Sequence, residues 1–170
     1  SSGLLIITYP FMKRITFWPQ LFLGFTFNWG VLLGWSVFFE NLTTEIIILY
    51  MAGIFWTLGY DTIYALQDRR DDLKIKIKST AIKFGYDIKN FLFFCYISTI
   101  TLLIGLGFLT NRSLTYFVLL AIAALHLAYQ VIIIQKIKSN NRERIQIVFN
   151  SNNSFGILIF LIFFLEIYYA

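Results

Sequence analysis

The sequence predicts an all-α integral membrane protein, with about five full transmembrane helices after one partial N-terminal helix. Of its 170 residues, 58% are hydrophobic and only 14% are charged, whereas a soluble domain carries about 25% charged residues. The apolar residues form continuous runs, unlike the alternating strands of a β-barrel. Because backbone groups in lipid need hydrogen bonds within their own segment, these runs are expected to be helices. Residues 1–170 are expected to form a single transmembrane domain.

A helix needs roughly 20 apolar residues to cross a bilayer core, and the candidate helices are the apolar runs that reach or approach this length. A partial run covers residues 3–12. The full candidates cover residues 18–39, 45–66, 90–109, 114–135 and 154–169. The last run is the shortest, but it is dense in Phe, Ile and Leu.

Basic residues cluster in the loops that helices of alternating direction would place on one side of the membrane. The three basic groups lie within 13–14, 69–89 and 136–144, and only Arg112 of the 14 Lys and Arg residues falls elsewhere. Cytoplasmic loops, or matrix loops in a mitochondrion, carry such an excess of Lys and Arg. The net charge of +5 therefore reflects membrane topology, and no nucleic-acid partner is expected.

Four aspartates fall within DTIYALQDRRDD, residues 61–72, at the basic-side end of the second full helix. If 59–72 is one continuous helix, their side chains share an arc of about 100°. Like charges about 5 Å apart repel by roughly 3 kcal/mol per pair at an effective dielectric near 20. Such a face needs protons or a bound cation, and oxygen ligands without His or Cys favour Mg²⁺ or Ca²⁺.

The lysines after the aspartates point to a phosphate ligand. LKIKIKST places Lys74, Lys76 and Lys78 two residues apart, and Mg²⁺ commonly binds carboxylates together with substrate phosphates. The residues themselves thus favour a membrane-embedded site for a lipid diphosphate. Two alternatives stay open: a solvated helix end without function, and a cation pathway, in which intramembrane acids also serve.

The aspartate stretch resembles the second aspartate-rich motif, DxxYAxxDxxDD, of the UbiA-type prenyltransferases. Its fixed positions are occupied by Asp61, Tyr64, Ala65, Asp68, Asp71 and Asp72. Three further stretches are similar to the family branch that acts on 4-hydroxybenzoate: YPFMKRITFWPQLFLGFTFNWG, KIKSTAIKFG and FNSNNSFG. The resemblance covers essentially the whole chain, and it implies a UbiA-like helix bundle around a central cavity.

The resemblance also implies an activity, the Mg²⁺-dependent transfer of a polyprenyl group from polyprenyl diphosphate to the ring of 4-hydroxybenzoate in ubiquinone synthesis. Asp61 and Asp68 would be catalytic, and Asp61, Asp68 and Asp72 would hold the metal. The metal would serve as Lewis acid and template for the diphosphate.

Other substrate contacts are expected from basic and aromatic residues. Arg14, with Lys13 beside it, is the expected partner of the benzoate carboxylate, because a guanidinium can donate two parallel hydrogen bonds to a carboxylate. Lys78 is the lysine expected at the diphosphate. Tyr64, which adjoins the carboxylate face, is also expected to contact the substrate.

The first motif of the family, of NDxxD type, does not occur in this sequence. We therefore expect the chain to be a C-terminal portion of the enzyme. Its location would be a bacterial inner (cell) membrane or the mitochondrial inner membrane, with the aspartate motif on the cytoplasmic or matrix side. The alternatives are an inactive truncated remnant of that enzyme and a small cation-handling membrane protein.

Overall fold

The computed structural model describes residues 3–137 and 141–169, apart from the side chains of residues 4–6, 9, 10, 168 and 169, and this part of the chain is almost entirely helical. The helices are α1 (Gly3–Ile15), α2 (Pro19–Phe27), α3 (Trp29–Ser36), α4 (Thr44–Ala65), α5 (Arg69–Lys74), α6 (Thr80–Lys83), α7 (Ile88–Leu109), α8 (Leu114–Lys136), α9 (Arg142–Asn150) and α10 (Asn152–Tyr169). A 3₁₀ turn, Gly85–Asp87, leads into α7.

Four helical stretches in these residues are long and apolar enough to cross a membrane. They are Thr44–Ala65, Gly85–Leu109, Leu114–Lys136 and Arg142–Ile167. The predicted all-α integral membrane fold is thereby confirmed. The last span begins earlier than predicted, because the amphipathic α9 continues into the apolar α10 with only Ser151 between them.

Helix α4 is the centre of the bundle. It packs most extensively against α7 and α2, and α7 packs in turn against α8, which contacts α10. Small residues allow close approach of helices in lipid, where apolar side chains gain nothing by leaving the bilayer. Gly59 on α4 shows this closeness, since a Cβ there would lie 2.4 Å from Cε1 of the buried Tyr96 ring on α7.

Gly59→Ala is therefore expected to lower the free energy of unfolding by about 3 kcal/mol, through overpacking of the α4–α7 contact. The measurement is equilibrium unfolding in mixed detergent micelles. Gly105→Ala is the matched control, because a Cβ at this α7 glycine meets nothing within 4 Å. Equal free energies of unfolding for the two variants would contradict the close α4–α7 packing.

The predicted continuous helix over residues 18–39 is wrong. Asn28 ends α2 and precedes α3, and its Nδ2 donates to the backbone O of Gly24 at 2.8 Å and to Oγ1 of Thr57 at 2.9 Å. A short amide side chain competes in this way with the helix ladder for its carbonyls. The two pieces, of 9 and 8 residues, are each too short to span a bilayer, although both lie along α4.

The three basic groups meet at one end of the bundle, as predicted. The Nζ of Lys78 donates to the backbone O of Ile15 at 2.9 Å, which joins the first group to the second. Arg142 forms a salt bridge with Asp71, which joins the second to the third. Lys138, also in the third group, lies outside the described residues.

Candidate functional site

The aspartate stretch is divided between two helices. Helix α4 ends at Ala65, and the backbone N–H groups of Asp71 and Asp72 donate to the backbone O of Asp68 at 2.9 and 2.8 Å, which begins the next helix. Acidic residues favour a helix N-terminus, so this cluster starts α5 and does not extend α4. The prediction of one continuous helix over 59–72 is therefore wrong, and so is the helical geometry from which a shared carboxylate face was predicted.

Asp71 is neutralised by two cations. Its Oδ1 lies 3.1 Å from Nζ of Lys74, and its Oδ2 pairs with the guanidinium of Arg142 on α9. The hydrogen bond from Lys74, and to a smaller extent that from Arg142, lowers the pKa of the Asp71 carboxyl below its usual value. Within the described residues, Asp71 thus differs from the other three aspartates in being paired with cations.

The three predicted metal ligands form no salt bridge in the described part of the chain. Partial burial raises the pKa of Asp72, and the nearby charges of Asp68 and Asp71 raise it further, against the opposite effect of Lys13. The charge of Lys13 also acts on Asp61, so α1 brings a cation towards both carboxylates. Residues 3–137 and 141–169 contain no group of three or more His, Cys, Asp or Glu arranged to hold a metal ion.

The predicted substrate-binding residues surround this end of the bundle. Lys13 is half-buried and Arg14 is exposed at the end of α1. The Nζ of Lys78, besides its bond to α1, lies 5.4 Å from the ring centroid of Phe17. The ring of Tyr64 lies 5.0 Å from that of Phe149.

Asp61 lines a cleft of about 690 Å³ between α2, α4 and the last span. The aromatic and amide side chains of its wall were not predicted, and they include Trp56, Tyr60, Phe149 and Asn152. The Nε1 of Trp56 donates to Oδ1 of Asn152 at 3.1 Å, which joins the two sides of the cleft. FNSNNSFG contains two of these wall residues, and its similarity to the family was the one signal that could have located them.

An apolar cavity lies beside the cleft. This cavity, of about 220 Å³, shares Trp56 and Gly156 with the cleft and is lined beyond them mainly by apolar side chains, including Val31, Leu103 and Phe163. At Gly156 a Cβ would lie 3.2 Å from Cη2 of Trp56. The two residues therefore stand between a carboxylate-bearing cleft and an apolar cavity.

Buried hydrogen bonds support the cleft wall from behind. The hydroxyl of Tyr96 donates to Oε1 of Gln130 at 2.7 Å, and Nε2 of Gln130 donates to Oγ of Ser151 at 2.9 Å. Nε2 of His126 donates to the backbone O of Ser151 at 3.0 Å, where α9 passes into α10. Polar groups at this depth need partners within the protein, so the network fixes the break that brings α9 to the cleft.

The fold and the cleft together define a bundle of apolar, membrane-spanning helices with a carboxylate-bearing cleft beside an apolar cavity. A solved structure of digeranylgeranylglyceryl phosphate synthase in membranes superposes with a TM-score of 0.74 at 19% identity, covering 97% of this chain and 58% of that one. The sequence model of the UbiA prenyltransferase family matches residues 1–167. The chain belongs to the UbiA prenyltransferase family.

Several curated relatives are mitochondrial 4-hydroxybenzoate polyprenyltransferases. The protein of Bos taurus is 44% identical over 162 residues, which are 95% of this chain and 43% of that protein. That of Arabidopsis thaliana is 43% identical over 161 residues, covering 94% of this chain and 39% of that protein. The predicted family resemblance is confirmed, and the chain spans less than half the length of these relatives.

Proposed function

We propose that the protein transfers a polyprenyl group from polyprenyl diphosphate to the ring of 4-hydroxybenzoate, as a step in ubiquinone synthesis. The observation that carries the proposal is the position of the Asp61 cleft beside an apolar cavity, with Trp56 and Gly156 in the walls of both. A prenyl diphosphate has a head that needs a cation and a tail that needs an apolar channel. The cleft offers the Asp61 carboxylate and the cavity offers apolar walls, and the names of the relatives supply the reaction.

Asp61, Asp68 and Asp72 are the residues proposed to hold Mg²⁺. Their oxygen atoms suit a hard cation, and Asp68 and Asp72 are close enough for their charges to oppose each other. Mg²⁺ usually binds one or two carboxylates and completes its shell with water and phosphate, so a site shared with the diphosphate needs no third ligand nearby. When bound, Mg²⁺ would stabilise the negative charge that develops on the leaving diphosphate.

The chain itself would bind and orient the two substrates. Arg14 is proposed to bind the carboxylate of 4-hydroxybenzoate through a pair of hydrogen bonds, with Lys13 beside it. Lys78 is proposed to contact the diphosphate from its position next to α1. Asp61 and Asp68 are the proposed catalytic residues, because they would hold the cation that neutralises the diphosphate.

Aromatic rings of the cleft are proposed to stabilise the allylic cation that develops as the diphosphate leaves. Trp56 and Tyr60 lie at 5.2 Å between ring centroids, and Phe149 lies 6.0 Å from Tyr60. A ring face attracts a cation by up to about 2 kcal/mol where water is excluded. Tyr64, packed on Phe149, is proposed to close the cleft at the substrate end.

Transfer by the full-length protein in phospholipid vesicles tests the proposal. Labelled 4-hydroxybenzoate and a polyprenyl diphosphate are expected to give prenylated product with Mg²⁺. EDTA should abolish the product, and excess Mg²⁺ should restore it, because the leaving diphosphate requires the cation. Product formed equally well in EDTA would contradict the metal assignment.

The two alternatives predict other results in the same vesicles. Cation flux without transfer would favour the cation-handling protein, whose acidic cleft would then be a pathway. Neither flux nor transfer would favour the inactive remnant. We propose further that the basic end faces the cytoplasm of a bacterium or the mitochondrial matrix, because the basic groups lie together there.

A further inference from the structure

A separate basic pocket of about 340 Å³ lies at the basic end of the bundle. Its walls come from the turn after α4, the Gly85–Asp87 turn, and parts of α5, α7, α8 and α9, and none of its lining residues lines the Asp61 cleft. The polar lining residues are Arg69, Tyr86, Lys89 and Gln135. The site is thus distinct from the cleft that the proposed transfer uses.

The pocket offers positive charge without a carboxylate to neutralise it. Neither Arg69 nor Lys89 forms a salt bridge in the parts of the chain that the structure describes, and no lining residue is acidic. The Nε of Arg69 is fully buried there without a hydrogen-bond partner. Leaving a buried donor unsatisfied costs about 1–3 kcal/mol, and more for a charged group. An anion in the pocket would remove that cost.

Gly85 gives the guanidinium its position. A Cβ at this glycine would lie 2.7 Å from Nη2 of Arg69, so the head of Arg69 rests directly on the Gly85 backbone. The first turn of α7, with Ile88 and Lys89, forms another part of the wall. Lys89 is thereby placed in the walls of the same pocket as the Arg69 guanidinium.

The remainder of the pocket is apolar and lies at the edge of the membrane. The α4 span ends at Ala65 and the next span begins at Gly85, so the pocket stands where hydrocarbon gives way to water. Tyr86 at its rim is fully exposed, as is typical of aromatic residues at the interface. Phe93, one helical turn from Lys89 on the same face, is 59% exposed and continues the apolar surface towards the bilayer.

We propose that the basic pocket binds the phosphate group of an anionic membrane phospholipid. Arg69 and Lys89 hold the phosphate, and the acyl chains lie along the exposed face of α7 that bears Phe93. Basic pockets between helices on the cytoplasmic or matrix side of a membrane, which the basic end is proposed to face, suit anionic headgroups. A water-soluble phosphate would match the cations, but it would leave the apolar half of the pocket and the exposed face of α7 without a partner.

Lipid binding by the full-length protein tests this proposal independently of prenyl transfer. The protein is placed in nanodiscs of phosphatidylcholine with a minor fraction of phosphatidylglycerol, and retained lipids are counted by native mass spectrometry. Arg69→Gln is expected to weaken phosphatidylglycerol binding about tenfold, because a charge-assisted hydrogen bond is lost. Gly85→Ala should weaken it too, since the Cβ displaces the guanidinium while the charge remains.

Arg70→Gln is the matched control, because this exposed neighbour does not line the pocket. Weakened binding in the two pocket variants, with wild-type binding in the control, supports the proposal. Equal binding in all variants overturns it, and so does an equal loss in Arg70→Gln, which would indicate attraction by net charge alone. Inorganic phosphate that occupies the pocket while phosphatidylglycerol does not would also overturn it. If Arg69→Gln lowers the unfolding midpoint, phosphatidylglycerol binding by Gly85→Ala is compared with that of Arg70→Gln instead, and weakened or unchanged binding decides for or against the proposal.

Discussion

Asp61→Asn is expected to lower the rate of prenyl transfer about a thousandfold, because a metal ligand contributes several kcal/mol to stabilising the transition state. The protein should remain folded, since the Asp61 carboxylate lines the cleft and forms no salt bridge with the described residues. The measurement is kcat with saturating substrates and Mg²⁺, beside the unfolding midpoint. Asp68→Asn is expected to behave similarly.

Asp71→Asn is the control that the structure provides within the same motif. Asp71 is exposed and pairs with Lys74 and Arg142, and a surface ion pair of this kind contributes little to stability. Transfer by Asp71→Asn should therefore stay within about twofold of the unmodified rate. A near-normal rate in Asp61→Asn would refute its role. A loss in Asp71→Asn as large as that in Asp61→Asn would mean that the stretch acts only through its total charge.

Gly156→Val is expected to make the protein select against long prenyl donors. The side chain would press on Trp56, where the cleft and the apolar cavity share a wall, and would keep a long chain from reaching from the cleft into the cavity as the proposed function requires. We expect kcat/KM for a long polyprenyl diphosphate to fall about a hundredfold more than kcat/KM for geranyl diphosphate, given 1–3 kcal/mol per obstructed methylene. The measurement is competition between the two donors in one reaction.

Gly105→Val controls for the cost of a β-branched residue in a membrane helix. A Cβ at Gly105 would meet no atom within 4 Å, so the ratio of kcat/KM for the long donor to kcat/KM for geranyl diphosphate should not change. If Gly156→Val lowers kcat/KM for both donors to the same extent, the apolar cavity does not hold the prenyl chain.

Local hydropathy was sufficient to predict the long helices, whereas their interruptions depend on distant residues. The runs at 90–109 and 114–135 agree with α7 and α8 within about two residues, because the length of an apolar run is set by the bilayer. The break at Asn28 is held by Thr57, and that at Ser151 by His126, each more than twenty residues away along the chain. The hydrophobic periodicity within one segment cannot predict a contact with so distant a residue.

The candidate site shows the same division. Asp61 could be singled out because its motif is local, but the continuous helix behind the predicted carboxylate face was wrong. The pairing of Asp71 with Arg142 of α9 could not be read from the motif. Trp56 and Phe149 could not be singled out, since aromatic residues make up 19% of the chain and most of them carry no distinguishing neighbour. The roles of the metal ligands and substrate contacts remain predictions.

The bond between Asn28 and Thr57 also bears on the order of assembly during synthesis. Residues 18–39 leave the ribosome before Thr57, as one apolar stretch in which the Asn28 amide has the backbone O of Gly24 as a partner but not yet the hydroxyl of Thr57. The bend can be secured only after the following span has entered the bilayer and presents its hydroxyl. Pairing of α2 and α3 with α4 is accordingly a step of folding within lipid, later than insertion.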